Sequence, residues 1–366
     1  MSESKFGFRG KAPQNILLIK GASAGVGDLL RSSAAWRALR NRFPESRLHL
    51  LFLTRDPGSP SEELIGRHHL LSSFSVTDKR TSTFAGWKKL LGDARKVAKL
   101  TQPDMVVDFE MNGVRTSLLS LYLKFWSRAW TVGVAEVPGR GWFYDRAAPS
   151  RKVYARRHGM QQRLEYTELD FVVLGALGIE RQGTAVELRE TDEGRAFRAR
   201  LITELGQQGA HHVLGVNIGC GPPTIGKRPD LDQLAALVEE LQRRYGFALV
   251  LTGAAHEREF NRDFLSRLRP AGPVVDLAGR TTLLELAGAI SACRLFISSD
   301  SGPYHMAVGL RVPTLALFNW DNWQHYHHHD WIECVVFKAN QGLANALERA
   351  ERLMRLTPPA LPAWPR

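Results

Sequence analysis

The sequence predicts an α/β protein built as two Rossmann-like domains, each a parallel sheet wrapped by helices, and three observations carry the prediction. From Asn15 onward, short apolar runs alternate with amphipathic stretches, the pattern of parallel strands connected by helices. The alternation runs through once, pauses near Arg189, and begins again. Finally, 366 residues with 44% hydrophobic content exceed the usual size of one domain and suffice for two cores. Two such halves are expected to face one another across a cleft, with ligands at the carboxyl ends of the strands.

Residues 1–12 read as a loose basic tail and 13–189 as the first domain. Its pattern is a strand at NILLIK, a helix at DLLRSSAAWRALRNRF, a strand at RLHLLFL, then DMVVDF followed by a helix at RTSLLSLYLKFW. A helical stretch ending near Leu177 and Gly178, and the short run Ala185 to Leu188, close this half. The second domain, 190–340, opens with a helix over Glu193 to Leu205 and a strand over His212 to Ile218. A Gly- and Pro-rich loop follows, then a helix over Leu231 to Tyr245, a strand over Ala248 to Thr252 and a charged helix over His256 to Leu268. Next come Val274 to Leu277, a helix from Leu283 to Cys293, a strand at Leu295 to Ser298, a short helix at His305 to Leu310 and a strand at Thr314 to Phe318. Residues 341–366 hold a helix at Leu343 to Arg355 and the proline-rich end TPPALPAWPR.

No apolar run reaches the roughly 18 residues of a membrane span, and the start MSESKFGFRGKAPQ lacks the apolar stretch of a secretory signal. A cytoplasmic location is expected. The three cysteines, Cys220, Cys293 and Cys334, are widely spaced, which suggests buried thiols rather than a disulfide framework or zinc site. A formal charge of +12 calls for anionic partners. The arginines are dispersed and no nucleic-acid-binding motif is present, so nucleic acid is not among the expected partners.

The stretch IKGASAGVGDLL, Ile19 to Leu30, has the glycine spacing of a dinucleotide-binding loop. A short-chain dehydrogenase also needs a tyrosine with a lysine four residues later. Tyr122 is followed at that distance by Trp126 and Tyr154 by His158, and no tyrosine of the chain meets the requirement. A carboxylate at Asp28 would also compete with a pyrophosphate for the N–H groups and dipole of the following helix. The bland alternative for Asp28 is a first-turn acid, which the dipole stabilises by about 0.3–1 kcal/mol. At a strand end facing a cleft, the same carboxylate can accept a proton from a hydroxyl.

In FISSDSGPYHMAVGLRVPTLALF, Phe296 to Phe318, a strand ends in Asp300. Ser301 and Gly302 then offer backbone N–H groups to a diphosphate, while Pro303 suits the first helical turn. The loop from Asn217 through Thr224 to Lys227 and Arg228 supplies flexible donors and two cations for a phosphate. Thr252, Gly253 and Glu257 place a carboxylate after another strand, where a ribose diol can be read.

These stretches resemble the family 9 glycosyltransferases, bacterial heptosyltransferases that add heptose from ADP-heptose to the inner core of lipopolysaccharide. The resemblance runs from about Asn15 to Phe318. Its anchors are Gly27-Asp28, Asp104 to Asp108 before Arg115, Asn217 to Lys227, Thr252-Gly253 to Glu257, and Asp300-Ser-Gly-Pro-Tyr-His305. It implies the GT-B architecture, a donor held mainly by the second domain, inversion at the sugar carbon, and no metal or other cofactor. It also implies that the C-terminal helix packs back toward the first domain. Carried over by position, Asp28 matches the general base, Lys227 the lysine on donor phosphate, and Glu257 the glutamate near the ribose. Asp300 matches the aspartate at the donor sugar, with Ser301, Gly302 and His305 beside it.

The chain departs from the family in two extra residues between Lys20 and Gly27-Asp28, in Ala34, and in the segment Asn319 to His329. That segment leaves a second reading, a nucleotide-sugar or glycan-binding relative without catalysis. Its histidines 325, 327, 328 and 329 are expected to be exposed or stacked rather than metal ligands. An anionic glycolipid or glycan acceptor is assigned to Arg115 and Arg140, with Lys124 and Arg128 nearby. Leu118 to Trp130 mixes apolar, aromatic and basic residues. It is read first as a core-facing helix and second as a peripheral contact with the inner membrane.

Overall fold

A computed structural model describes residues 11–21, 25–160, 164–181, 183–219, 226–320, 327–338 and 342–356. The chain divides into two units, Met1–Val186 and Glu187–Arg366. The first contains β1 (Asn15–Gly21), β2 (Arg47–Thr54), β3 (Ser73–Asp78), β4 (Met105–Asp108), β5 (Trp130–Ala135) and β6 (Arg146–Pro149). They form one sheet in the order β3-β2-β1-β4-β5-β6, every pair parallel. Ile16, Leu17, Leu18 and Ile19 of β1 are wholly buried, because helices cover both faces of a central parallel strand. These helices are α1 (Val26–Leu30), α2 (Ser33–Arg42), α3 (Ser61–Gly66), α4 (Phe84–Thr101), α5 (Val114–Ser127), α6 (Arg151–Arg157) and α7 (Glu168–Leu174).

The sequence places a single helix after the glycine loop; the chain instead makes a turn at Arg31 and Ser32, dividing α1 from α2. Likewise, Leu118 to Trp130 is not one helix. Arg128 adopts the left-handed conformation (φ 55°), ending α5, and Trp130 already belongs to β5. As expected, α5 turns Leu119 and Leu123 into the core.

The second unit contains β7 (His212–Asn217), β8 (Phe247–Thr252), β9 (Val274–Asp276), β10 (Leu295–Ser299), β11 (Thr314–Phe318) and β12 (Ile332–Val336). Their order is β12-β11-β10-β7-β8-β9, again all parallel. Around them lie α8 (Asp192–Gln207), α9 (Leu231–Tyr245), α10 (Arg258–Arg267), α11 (Leu283–Ser291), α12 (Gly302–Gly309) and α13 (Leu343–Arg355). Local chemistry sets several of the starts. Asp230 accepts from Gln233 N–H at 2.9 Å to begin α9, and Thr282 with Glu285 forms a capping box on α11.

Ala346, Ala350 and Leu353 of α13 are buried in the core formed by β7, β8, β10 and β11 with α9, so this helix belongs to the second unit's own core. Its apolar stripe matches the exposed face of that sheet, and burying it there removes both surfaces from water.

In each sheet the strand order reverses once, between β1 and β4 in the first and between β7 and β10 in the second. Chain connections leave in opposite directions at such a point and open a crevice at the carboxyl ends of the strands.

Candidate active site

In the second unit, the residues singled out by sequence gather at the β7/β10 reversal. Asn217 ends β7, Thr252 ends β8 and Asp300 follows β10. Thr252 Oγ1 donates to Asn217 Oδ1 at 3.1 Å, which orients the amide so that its Nδ2 donates to Ser301 Oγ (3.1 Å) and to Gly219 O (2.9 Å). Ser298 Oγ lies 3.1 Å from the same Ser301 hydroxyl. The turn after β10 is thus tied across the reversal to the strand beside it. Lys227 Nζ bonds Asp300 Oδ2. Charge-assisted pairing of this kind fixes both groups.

Glu257 is buried and accepts the Ala254 N–H at 2.7 Å. Its carboxylate packs against Gly219, where a Cβ would fall 2.0 Å from Oε1. Glycine is needed there because any side chain would displace Glu257. Ser301 caps α12 in extended conformation, with Gly302 and Pro303 forming its first turn, which directs N–H groups outward at the strand end. His305, one turn on, is buried, and its Nδ1 lies 2.9 Å from Nε2 of the equally buried His327. Thr224 lies outside the described residues, as does His325.

Part of the unusual segment after β11 has a visible role. Asn319 Nδ2 donates to Gly226 O and, at 2.8 Å, to Arg228 O. It therefore pins both sides of Lys227. His329 stacks on Trp331 with ring centroids 4.4 Å apart, and buried His327 lies parallel to His329 at 6.3 Å. Among the described residues, no group of three His, Cys, Asp or Glu side chains is placed to hold a metal ion.

In the first unit, the β1/β4 reversal opens a cavity of about 300 Å³ whose lining includes Lys20, Asp28, Arg31, Glu110, Tyr166 and Asp170. Asp28 sits in the first turn of α1, about one-third exposed, and Arg31 one turn later bonds its Oδ1. The Arg31 guanidinium in turn lies over the Tyr166 ring, 4.7 Å from its centroid. Lys20 Nζ bonds Asp170 Oδ1 at 2.6 Å. Glu110 accepts the Gly21 N–H at 2.9 Å, and burial raises its pKa above the usual range. The first N–H of the glycine loop therefore serves a carboxylate. A pyrophosphate in its place would meet negative charge.

Arg140 is not presented to a ligand. It is 3% exposed and donates to Ser117 Oγ (2.8 Å), to the carbonyls of Met111 and Glu110, and to Asp108 Oδ2 (3.3 Å). Asp108 is fully buried, and burial lifts its pKa to about 6 although Tyr144 OH (2.7 Å) and Arg140 both favour the carboxylate. A buried carboxylate needs a paired cation, and that need explains the inward turn of Arg140. The clamp holds the loop after β4, which carries Glu110 to the cavity. Arg115 is half-buried, bonding Thr81 Oγ1 at 2.7 Å. Sequence reasoning also missed Glu110, Arg31 and Asp170. Only Glu110 had a local signal, its place just past the carboxyl end of a strand.

The sequence model described as glycosyltransferase family 9 (heptosyltransferase) matches residues 124–336, more than half of the chain. The chain belongs to glycosyltransferase family 9. Among curated relatives, lipopolysaccharide heptosyltransferase 3 of Escherichia coli K12 is 32% identical over 108 residues, 29% of this chain and 30% of the relative. Lipooligosaccharide heptosyltransferase 2 of Campylobacter jejuni is 26% identical over 122 residues, 33% of this chain and 38% of the relative. The matched segments thus span about a third of the length of these family 9 relatives.

Solved structures show the same fold over nearly the whole chain. A family 9 glycosyltransferase of Veillonella parvula superposes with TM-score 0.70 at 18% identity, covering 93% of this chain and 97% of that one. An Escherichia coli heptosyltransferase solved with ADP-2-deoxy-2-fluoro heptose gives TM-score 0.64 at 16% identity, covering 92% and 99%. The fold class is therefore the GT-B class of these enzymes. A UDP-GlcNAc 2-epimerase of Methanocaldococcus jannaschii shares it, with TM-score 0.56 at 13% identity over 94% of each chain. Fold alone does not choose the chemistry.

Proposed function

We propose that the protein is an inverting, metal-independent glycosyltransferase that moves a sugar from a nucleotide sugar, heptose from ADP-heptose, to a hydroxyl of a lipopolysaccharide-core glycan or glycolipid. The observation that carries the reading is family membership joined to the two reversal points. One presents a carboxylate, Asp28, and the other a Lys227–Asp300 pair beside the Ser301 turn. In this reading Asp28 accepts the acceptor hydroxyl's proton as its oxygen bonds to the anomeric carbon. The bond from that carbon to the phosphate oxygen breaks, and its electron pair leaves with the nucleoside diphosphate. Lys227 and the backbone donors of the Ser301 and Gly302 turn meet the charge gained by the leaving group. Asn217 and Thr252 hold that turn in place, and Glu257 accepts hydrogen bonds from the ribose hydroxyls.

We assign the reaction to the cytoplasmic side of the inner membrane. Among the described residues no helix is long and apolar enough to cross a membrane. Phe125, 75% exposed, and Trp126 stand on the outer face of α5, in keeping with contact at a lipid surface.

The Asp28→Asn variant tests the base. It is expected to lose about 10²- to 10⁴-fold in kcat while binding ADP in calorimetry as the parent does. Full activity would refute the assignment. A panel of nucleotide sugars incubated with extracted glycolipids, read by mass spectrometry, identifies the transferred sugar from the mass increment.

A further inference from the structure

The cavity at the β1/β4 reversal also constrains what the acceptor can be. Among its described lining residues are three carboxylates, Asp28, Glu110 and Asp170, and two cations, Lys20 and Arg31. Each cation is already matched, Lys20 to Asp170 and Arg31 to Asp28. Of the basic groups that the sequence offers to an anion, Arg115 donates to the neutral Thr81 hydroxyl, and two others are paired with carboxylates. Arg140 is buried on Asp108 and Lys124 Nζ bonds Asp145 Oδ1 at 2.6 Å. Whether Glu110 is ionised or protonated, the described lining holds no excess of positive charge.

Carboxylates with aromatic neighbours suit a different ligand. Carboxylate oxygens accept from hydroxyl groups, and Tyr166, 40% exposed, offers part of an aromatic surface against which the C–H faces of a sugar can lie. At about 300 Å³ the cavity sits at the small end of ligand pockets, a size for one pyranose ring. A phosphate or carboxylate on that ring would meet like charge at contact range, and like-charge juxtaposition is an effective means of rejection.

We infer that this cavity receives an uncharged acceptor sugar ring and rejects one that itself carries a phosphate or carboxylate. The inference rests on reading the cavity as the acceptor site. It replaces the anionic acceptor expected from Arg115 and Arg140 with one whose anionic groups, if any, lie away from the glycosylated ring.

The test is titration of the full chain, without nucleotide sugar, using methyl pyranosides each supplied neutral and as its 6-phosphate, read by calorimetry or ligand-observed NMR. The neutral member is expected to bind about tenfold or more tightly than its phosphorylated partner, the effect of about one charge at contact distance in a partly screened site. Asp170→Asn leaves Lys20 without its carboxylate and is expected to shift the ratio about tenfold toward the phosphate. Glu110→Gln, which keeps an acceptor for the Gly21 N–H, is expected to shift it the same way. Each ratio is taken within one variant, so a change in the folded fraction cancels. Equal or tighter binding of the phosphate by the parent, no binding of any pyranoside, or ratios unmoved in both variants would overturn the inference. No transfer is involved, so a chain that preferred neutral rings yet transferred nothing would sink the proposed reaction and leave this result standing.

Discussion

Arg140→Met separates a surface ligand role from an internal clamp. Methionine fills much of the same volume but removes the bonds to Ser117, Met111, Glu110 and Asp108. The Asp108 carboxylate, 0% exposed, then loses the cation paired with it within a site closed to water. Removing one member of a buried pair costs about 3–5 kcal/mol, and a domain of this size loses about 2–4 °C per kcal/mol. Calorimetric melting should therefore show the first domain's transition lowered by roughly 6–20 °C. The double variant Asp108→Asn with Arg140→Met should recover part of that loss, since neither partner is then stranded.

The pH dependence has a definite sign. In the parent, Asp108 is raised from the usual 3.8 to about 6, so the folded state binds more protons between those values. Its contribution therefore favours folding less as pH rises through that window. Without Arg140 the folded pKa moves higher still. The deficit of the variant is expected to be smallest below about pH 4, where the side chain is protonated in both states, and full above the raised value. A variant that melts with the parent at pH 7 but binds acceptor poorly would refute the clamp and return Arg140 to the surface.

Lys227→Ala is expected to weaken ADP binding about 10- to 100-fold in calorimetry, the range for a charge-assisted hydrogen bond of ~1.5–3 kcal/mol. Unchanged affinity would remove Lys227 from the donor site. Gly219→Ala would put a Cβ 2.0 Å from Glu257 Oε1; displacement of that carboxylate should lower both ADP affinity and the second domain's melting temperature, at a cost of about 1–3 kcal/mol. Gly288→Ala, whose Cβ would fall 2.1 Å from Gly194 O where α11 crosses α8, should destabilise the second domain by a similar amount while leaving ADP affinity of the folded protein unchanged. Calorimetry on the same samples reads both.

Much of the architecture is legible along the chain because central parallel strands are covered on both faces and must be continuously apolar. Ile16 to Ile19, Val106 and Val107, Leu249 to Leu251, and Leu295 to Ile297 all announce themselves this way. Edge strands carry no such mark. Ser73–Asp78 is polar and half-buried, and Arg146–Pro149 is four residues long, so pairing with a neighbour rather than composition makes each a strand. The same holds for α5, which ends where Arg128 turns left-handed although the apolar pattern runs on to Trp130.

At the site, the local pattern is enough to say which residues stand at strand ends, since strand-to-helix connections leave Asp28, Asn217, Thr252 and Asp300 there. What each of them meets follows from the packing of the folded sheet. Lys227 finds Asp300 73 positions along the chain, Asn319 secures both sides of Lys227, and Asp108 draws Arg140 out of solvent into the interior. Strand placement follows from local hydrophobic periodicity, whereas charge pairing depends on which groups the packed sheet removes from water together, and no short stretch of sequence encodes that.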